Sequence, residues 1–490
     1  MAFQFSKTNL PKQLFINNEY VDSRTNKKFS IYNPSNGSLV ADDIPVAGEE
    51  DVDLAVEAAE RAFPAWKAMK ATERRAIMLK FADLLDKYNA ELAELSQVTM
   101  GAPYEAWGQF EVDMASQQFR YYEGWIDKFP GESFAQDDGF IKVVRNEPLG
   151  VTAGITPWNG PTGNFGMKAA PALVTGNCFI LKPSEKAPLS SLALGVLAKE
   201  AGFPPGVLQV LPGDGSTGAI LASHMRIAKI SFTGSIGTGK KVQELAARSN
   251  LKRVTLELGG KSPAVVFNDA NLDNAVEWCA NMITANTGQV CIAASRVYVQ
   301  EGIYDKFIEA YKTAIIARRE TVGDPVHDTT KIGPLADKLQ FDRVMGFIDR
   351  AQTNKSGDLI TGGKRIGNTG YFVEPTIFAN VDLKSEIHLN EIFGPVSVVR
   401  TFKTEEEVLK LSNNTNYGLM AGVFTQDINR ALRVASEFES GMVGINCVSL
   451  FSIVAPFGGS KESGLGRECG VHALRAYTDP KTVMINMNNK

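Results

Sequence analysis

The sequence predicts an α/β fold built on a parallel, doubly wound sheet of the Rossmann type, and three observations support this. From about residue 150, short apolar segments alternate with helical segments, a pattern typical of parallel strands joined by helices. A second alternating run begins after Pro263 and continues past residue 440. The chain has 490 residues, which is enough for two or three domains with sizeable cores.

The elements follow in chain order from their hydrophobic periodicity. Residues 50–98 show helical periodicity with charges on the outer face. Strands are predicted at 151–155, 178–182, 207–211, 228–232, 253–256 and 264–267. Helices are predicted between them, for example at 189–201 and 240–248. Two further strand-like pieces stand apart from both runs, at 140–145 and 482–487.

Composition and charge favour a small-molecule function. The net charge of −4 gives no electrostatic reason to expect nucleic acid or an anionic membrane as a partner. Residues 148–167 and 278–295 carry no charge, but Gly, Pro or polar residues interrupt both, so neither is predicted to span a membrane. Such segments suit a buried pocket where the backbone approaches a ligand closely.

The cysteines and histidines indicate neither a metal site nor a disulfide framework. The five cysteines form no CxxC pair, and the four histidines are scattered. The first 14 residues lack a continuous apolar core, and the last three are not a peroxisomal signal. We therefore expect reduced thiols, a cytoplasmic location and no bound metal.

Two glycine-rich motifs are weak evidence for the nucleotide-binding loops that they resemble. Residues 213–218 read GxGxxG, but no acidic residue follows about 20 positions on to hold a ribose. Residues 234–241 resemble a P-loop, but Lys241 stands where a magnesium-binding Ser or Thr is needed. We interpret both as turns between a strand and a helix, the second suited to a pyrophosphate through backbone N–H groups.

A thiol and a carboxylate lie 34 residues apart, each beside glycines. Glu257 precedes Gly259 and Gly260, and Cys291 follows Gly288. A cysteine thiolate can attack a carbonyl, and a nearby carboxylate can activate the water that releases the product. A lone cysteine is more often a small buried residue, and the carboxylate could belong to a solvated turn.

These two segments, LELGGKSP and NTGQVC, resemble the NAD(P)-dependent aldehyde dehydrogenase family, and the resemblance extends from about residue 10 to residue 485. It implies that Cys291 is the nucleophile and Glu257 the hydrolytic base of a non-phosphorylating enzyme. Asn159 would then donate to the oxyanion together with the Cys291 N–H. Lys168 and Glu468 match positions assigned to proton relay. The presence of Glu257 favours a free acid as the product.

The resemblance also implies a dinucleotide site. Lys182 and Glu185 would bond the adenosine ribose, and this carboxylate would repel a 2′-phosphate, which favours NAD while leaving NADP possible. Glu391 would bind the nicotinamide ribose and Phe393 would pack on the ring. The remaining residues expected at the cofactor are Ile155, Thr156, Pro157, Trp158, Ser184, Gly215, Phe232, Gly234, Ser235, Gly239, Leu258 and Gly259.

The chain departs from many relatives in the expected substrate channel. Gly160, Met167 and Ala285 stand where large aromatic residues are frequent, whereas Phe457 keeps one aromatic wall. We expect a widened channel that favours bulky aromatic or long-chain aldehydes. The alternative is a channel refilled by Phe451 or Leu450. The residues expected to bind substrate are Gly160, Met167, Ala285, Val290, Ile292 and Phe457.

By the same resemblance, residues 1–127 and 148–259 form the cofactor domain and residues 260–462 the catalytic domain. Residues 128–147 and 475–490 form a small β arm that pairs with a neighbouring subunit in a homodimer or homotetramer, since unpaired strand edges need covering. Ordinary edge strands within one chain are the alternative. Other functions left open are a semialdehyde or betaine-aldehyde dehydrogenase, a cofactor-independent thiol esterase and a non-catalytic binding protein.

Overall fold

The computed structural model describes residues 9–488 and shows a mixed α/β chain. The strands are β1 (Leu14–Ile16), β2 (Glu19–Val21), β3 (Lys28–Tyr32), β4 (Leu39–Pro45), β5 (Glu132–Phe134), β6 (Phe140–Pro148), β7 (Val151–Ile155), β8 (Cys178–Lys182), β9 (Leu208–Val210), β10 (Lys229–Thr233), β11 (Arg253–Glu257), β12 (Pro263–Val266), β13 (Arg296–Gln300), β14 (Asp358–Thr361), β15 (Thr376–Ala379), β16 (Val396–Phe402), β17 (Met420–Phe424), β18 (Met442–Ile445), β19 (Gly464–Leu465) and β20 (Thr478–Asn486).

The helices pack on both faces of the sheets. They are α1 (Glu49–Ala68), α2 (Ala71–Lys87), α3 (Asn89–Met100), α4 (Phe110–Glu123), α5 (Pro161–Val174), α6 (Leu189–Ala201), α7 (Gly215–Ser223), α8 (Ile236–Arg248), α9 (Leu272–Thr284), α10 (Tyr304–Arg319), α11 (Lys338–Thr353), α12 (Glu386–Leu389), α13 (Glu405–Asn413), α14 (Ile428–Glu437) and α15 (Gly470–Ala476). A π-helical segment, Tyr104–Gln109, runs directly into α4.

The first sheet has the order β19-β11-β10-β7-β8-β9-β1-β2. Strands β11, β10, β7, β8 and β9 are parallel, and antiparallel strands flank them at both edges. The order reverses between β7 and β10, and ligands of doubly wound sheets bind at the carboxyl ends of the strands at such a point. The predicted parallel sheet is confirmed, and each predicted strand from 151 to 267 ends within one residue of its observed limits.

The second sheet has the order β14-β15-β16-β13-β12-β17-β18 and is parallel except for the β14–β15 pair. Its order reverses between β12 and β17. The two sheets therefore each offer a crevice at their carboxyl ends. Their cores are largely separate, since one apolar cluster draws on residues 10–258 and 473–477 and the others mainly on residues 264–448.

Strands β20, β6 and β5 form a separate antiparallel sheet, so the strand-like pieces predicted at 140–145 and 482–487 pair with each other. Strand β20 begins earlier than predicted, at Thr478. The domain and arm boundaries remain predictions, and their portions at residues 1–8 and 489–490 lie outside the described residues. Across residues 9–488, no helix is both long and apolar enough to cross a bilayer.

Helix α8 starts four residues before the predicted segment. The Ser235 side chain accepts a hydrogen bond from the Thr238 N–H and so caps the helix at its N-terminus. Glycine is a poor helix former, and the glycines at 237 and 239 interrupt the hydrophobic pattern. The first turn of α8 was therefore not predicted.

The connection from α6 to β9 depends on two left-handed glycines. Gly202 (φ +96°) meets no atom within 4 Å of an added Cβ, whereas a Cβ at Gly206 (φ +89°) would lie 2.3 Å from the Ala58 carbonyl oxygen. Gly202→Ala should cost about 1 kcal/mol of unfolding free energy through backbone strain alone. Gly206→Ala should cost more than Gly202→Ala, because α1 must also move away.

Urea unfolding of both variants beside the wild type measures this difference. Gly202→Ala is the matched control, since it carries the same strain without the collision. Equal losses of stability in the two variants would contradict the prediction.

Candidate active site

A cavity of about 250 Å³ lies between the carboxyl ends of the first sheet's strands and the loops that lead into β13 and β16 of the second sheet. The loop after β7 and the turn after β10 form one wall, at the point where the first sheet reverses its order. Predicted site residues that line this cavity are Asn159, Glu257, Cys291, Glu468, Pro157, Trp158, Gly234, Ser235, Leu258, Gly259, Glu391, Phe393, Gly160, Met167, Val290, Ile292 and Phe457.

Other predicted residues do not line the cavity. Lys168 lies behind its wall and reaches it through Glu468. Ala285 ends α9 with its small methyl group outside the lining, so its place in a substrate channel remains a prediction. The remaining ones are Ile155, Thr156, Lys182, Ser184, Glu185, Gly215, Phe232 and Gly239.

The loop that carries Cys291 has an unusual backbone. Asn286 (φ 45°), Thr287 (φ 59°) and Gly288 (φ +70°) are all left-handed. A Cβ at Gly288 would lie 2.2 Å from the Gly394 carbonyl oxygen, so only glycine fits between the two loops. The Gln289 side chain donates to the Asn286 carbonyl oxygen at 3.0 Å and closes the turn.

Asn159 is bound to this loop from the opposite wall. Its Nδ2 donates to the Gln289 carbonyl oxygen at 2.8 Å. Its own carbonyl oxygen accepts from Trp107 Nε1 at 2.8 Å and from Asn286 Nδ2 at 3.1 Å. An amide has two N–H groups, so the second one can donate into the cavity.

The Cys291 thiol is poorly acidic. Burial, followed by the nearby carboxylates of Glu391 and Glu257, raises its pKa to about 12. Glu391 accepts a hydrogen bond from the Gly260 N–H at 2.9 Å, and burial raises its own pKa to about 7. The thiolate that attacks carbonyls is therefore scarce in the protein alone.

Glu257 ends β11 inside the cavity wall. Its side chain is buried, and neither carboxylate oxygen has a hydrogen-bond partner among the described residues. Burial, reinforced by Glu468, raises its pKa well above the usual carboxyl range. A Cβ at Gly458 (φ +151°) would lie 2.6 Å from Glu257 Oε1, so glycine is needed there. A carboxylate with a raised pKa is suited to accept a proton from water.

A buried ion pair lies next to Glu257. Lys168 Nζ is 2.6 Å from Glu468 Oε1, and both side chains are almost fully buried. Lys168 also donates to Ser231 Oγ at 3.1 Å and to Thr233 Oγ1 at 2.7 Å, and Ser231 Oγ donates to Glu468 at 2.7 Å. These groups form a continuous polar path that ends at the cavity.

The predicted cofactor residues lie along the switch point of the first sheet. Lys182 ends β8 next to β7, and its Nζ is 3.4 Å from Glu185. Burial lowers the pKa of Lys182. The N-terminal turn of α8 has open space at Gly237, where an added Cβ meets no atom within 4 Å. Backbone N–H groups at a helix N-terminus suit a diphosphate, so these residues fit a dinucleotide.

Several residues that line the cavity were not predicted from the sequence. The contact between α4 and α5 and the π-helical segment before α4 bring five more residues to the cavity: Trp107, Phe110, Glu111, Met114 and Asn164. No local sequence pattern predicts that contact. Phe451 also lines the cavity, and its ring lies 5.7 Å from that of Phe457. Leu450 is 55% exposed and is not a lining residue. Gln340 and Arg343 on α11 and Thr233 at the end of β10 complete the lining.

A thiol, a buried carboxylate and an amide around one cavity, at the switch point of a doubly wound sheet, are typical of a nucleotide-dependent enzyme with a cysteine nucleophile. The sequence model of the aldehyde dehydrogenase family matches residues 20–483. The chain belongs to the aldehyde dehydrogenase family and is an oxidoreductase, as its sequence motifs indicate.

Similar proteins span nearly the whole chain. Retinal dehydrogenase 2 of Homo sapiens is 45% identical over 482 residues, which cover 98% of this chain and 92% of that protein. The NAD+ complex of aldehyde dehydrogenase from Bacillus cereus is 40% identical with a TM-score of 0.94, covering 98% and 97% of the two chains. PnpE from Pseudomonas sp. WBC-3 is 40% identical with a TM-score of 0.94, covering 98% and 99%. The predicted fold class is thereby confirmed.

Removing the charge of Glu391 should make Cys291 more acidic. Glu391→Gln should raise the rate of Cys291 alkylation in cofactor-free protein about two- to tenfold above pH 7, where the wild-type carboxylate is ionised. In the wild type the rate should keep rising into the alkaline range, because the thiol has a pKa of about 12. Iodoacetamide labelling followed by mass spectrometry measures both rates.

Glu185→Gln is the matched control, since Glu185 is not among the groups that raise the pKa of Cys291. An alkylation rate that levels off near neutral pH in the wild type would contradict the prediction. An unchanged rate in Glu391→Gln would do so as well.

Proposed function

We propose that this enzyme oxidises an aldehyde to its carboxylic acid with NAD+, through a covalent intermediate on Cys291 and hydrolysis assisted by Glu257. The main supporting observation is that Cys291, Glu257 and Asn159 line one cavity. The Cys291 thiolate attacks the carbonyl carbon, and the carbonyl electron pair moves onto oxygen. The bound nicotinamide supplies the hydride acceptor for this chemistry. Loss of hydride restores the C=O bond and leaves a thioester.

Asn159 and the Cys291 N–H stabilise the oxyanion in this scheme. One N–H of the Asn159 side-chain amide donates to the Gln289 carbonyl oxygen, and the other N–H is left to donate to the oxyanion. One donor of this kind is worth roughly 10²–10³ in rate. The two donors come from opposite walls, so the oxygen position is fixed by the contact between those walls.

Glu257 releases the product. Its carboxylate takes a proton from water while the water oxygen attacks the thioester carbon, and the C–S bond then breaks to return the thiolate. The raised pKa of Glu257 suits a base that must later lose its proton. Glu468 and Lys168 provide the adjacent path by which that proton leaves, as their 2.6 Å contact supports.

We propose NAD as the preferred cofactor, with NADP possible. Glu185 is half exposed beside Lys182, where it can accept from ribose hydroxyls and repel a 2′-phosphate. The Bacillus cereus relative was solved with NAD+. Glu391 and Phe393, which line the cavity, are proposed to hold the nicotinamide end, where the Phe393 ring lies 5.4 Å from that of Trp158.

We propose bulky aromatic or long-chain aldehydes as substrates. Gly160 and Met167 line the cavity at positions where larger aromatic residues would narrow it. Phe451, Phe457 and Met114 give it apolar walls, and Phe451 refills part of the width. A relative at 45% identity carries the name retinal dehydrogenase 2. A semialdehyde or betaine-aldehyde substrate is the alternative, and cofactor-independent ester cleavage is the alternative of another class.

Self-association and location are also proposals. The β20-β6-β5 sheet exposes Phe134, Met484, Ile485 and Met487, which a second copy could cover in a homodimer or homotetramer. A cytoplasmic location follows from the free cysteines, since among residues 9–488 none forms a disulfide.

Two substitutions separate the two chemical steps. Cys291→Ala should abolish NADH formation, because no covalent adduct forms. Glu257→Gln should still release about one NADH per site in a burst and then turn over roughly 10²–10⁴ times more slowly. Stopped-flow NADH absorbance with an aromatic aldehyde measures both effects.

Cys447→Ala is the matched control, because this thiol does not line the cavity. Steady NADH formation by Cys291→Ala would overturn the mechanism. So would an undiminished steady rate in Glu257→Gln. Ester cleavage unaffected by NAD+, without NADH formation from any aldehyde, would favour the esterase.

The cofactor preference can be tested at Glu185. Glu185→Gln should narrow the ratio of kcat/KM for NAD+ to that for NADP+ by roughly tenfold, because it removes the charge that repels a 2′-phosphate. Glu244→Gln on the exposed side of α8 is the charge-matched control. An unchanged ratio in Glu185→Gln would assign the preference to other residues.

A further inference from the structure

A second, much smaller cavity lies beside the start of β12, just after the turn at Gly259 and Gly260. Its volume is about 10 Å³, which is room for one species of about the size of a water molecule. Residues 261–263, the start of β13, the end of α13 and the loop that follows α13 form most of its lining. The proposed aldehyde chemistry uses none of the side chains in this lining.

Three buried polar groups of this small cavity have no partner. They are Lys261 Nζ, Ser262 Oγ and Ser412 Oγ, which belong to buried lining residues and form no hydrogen bond with the described part of the chain. Each of these groups can donate a hydrogen bond, and a charged Lys261 can only donate. Leaving buried donors unsatisfied destabilises a protein, so the cavity favours an occupant that accepts hydrogen bonds.

Arg296 adds a fixed positive charge to the same wall. Its guanidinium is buried and bonds only uncharged oxygens, namely the carbonyl oxygens of Lys261, Leu411 and Ser412 and the Tyr298 hydroxyl. Within residues 9–488, no carboxylate forms an ion pair with it. Arginine stays charged in proteins, and buried charges are normally paired. A counter-charge for Arg296 is therefore expected nearby.

The pKa values of neighbouring groups reflect this excess of positive charge. Burial, with the charges of Arg296, Lys261 and Arg400, lowers the pKa of His388 to about 3. Burial, followed by Arg296, lowers the pKa of Lys261 itself to about 7, although Glu391 opposes this change. A negative charge in the small cavity would stabilise the charged form of Lys261 and offset the repulsion between these cations.

The lining residues supply no free negative charge of their own. Glu439 is the carboxylate of the lining, and it forms an ion pair with Lys461, which also lines the cavity. The net charge of that pair is zero. Both residues are exposed, so this side of the cavity lies next to solvent, from which a small ion can enter.

We propose that this cavity binds a single halide ion, chloride under physiological conditions, as a structural counter-ion for Arg296 and Lys261. The ion accepts hydrogen bonds from Lys261 Nζ, Ser262 Oγ and Ser412 Oγ. Its negative charge distinguishes it from a water molecule, which would have to donate hydrogen bonds as well as accept them. The small volume excludes phosphate, sulfate and carboxylates, which are larger.

Bromide provides a direct test, because it can replace chloride and is located by its anomalous scattering. Crystals of the full chain, grown with gluconate as the anion, are soaked in dilute sodium bromide. An anomalous peak within hydrogen-bond distance of Lys261 Nζ is the expected result. A water molecule there without an anomalous signal would overturn the proposal. A peak seen only at molar bromide would be an adventitious ion only and would overturn it as well.

Thermal unfolding tests the same site in solution. The quantity measured is the Tm in sodium chloride minus the Tm in sodium gluconate at equal ionic strength, because gluconate is too large for the cavity. For the wild type this difference should rise to about 1–2 °C and saturate with chloride concentration, since a ligand bound only by the folded state stabilises it. Lys261→Met should abolish the difference by removing the charge and one donor.

Lys229→Met is the matched control. Lys229 is also a buried lysine whose pKa falls to about 7, but its Nζ donates to Thr255 and it does not line the small cavity. This variant should keep the chloride dependence of the wild type. Ser412→Ala, which removes one donor and should weaken that dependence, serves if Lys261→Met folds poorly. An equal response to chloride in Lys261→Met and Lys229→Met would contradict the proposal.

Discussion

The contact between Asn159 and the Cys291 loop is the constraint on which the rest of the site depends. It joins the switch point of the first sheet to a loop that leads into the second sheet, through the 2.8 Å bond from Asn159 Nδ2 to Gln289. On the other side of the same loop, Gly288 packs against Gly394 so closely that a Cβ at position 288 would not fit. Two separate cores thus meet at a site whose geometry neither could set alone, because each contributes one of the two proposed oxyanion donors.

Burial around the cavity favours the neutral forms of its thiol and its carboxyl groups. Cys291, Glu257 and Glu391 all have raised pKa values because burial disfavours their charged forms. Lys168 brings a compensating positive charge, but its Nζ lies against Glu468 rather than against the thiol. The pKa of Cys291 can therefore fall only if the surroundings of the thiol change. Neutralising or displacing the nearby Glu391 carboxylate is one such change.

Periodicity was sufficient to predict strands β7 to β12, because strands buried on both faces are short apolar runs between turns. The motifs around Cys291 and Glu257 identified the family, because each contains glycines that the local backbone requires. Packing between elements could not be predicted: Glu111 and Asn164 line the cavity because α4 packs on α5. Ala285 is not among the lining residues, and its place in the substrate channel remains a prediction.

Helix α5 connects the cavity wall beside Asn159 to the buried ion pair of Lys168 and Glu468. Glu111 bonds the N–H groups of its first turn, and Lys168 lies about two turns later, at a separation of roughly 9 Å from Thr162 along the helix axis. The helix is almost wholly buried and cannot tilt without disturbing both ends. The cavity wall at Gly160 is therefore held at a fixed distance from the buried pair of Lys168 and Glu468. One rigid element, rather than two independent loops, sets this distance.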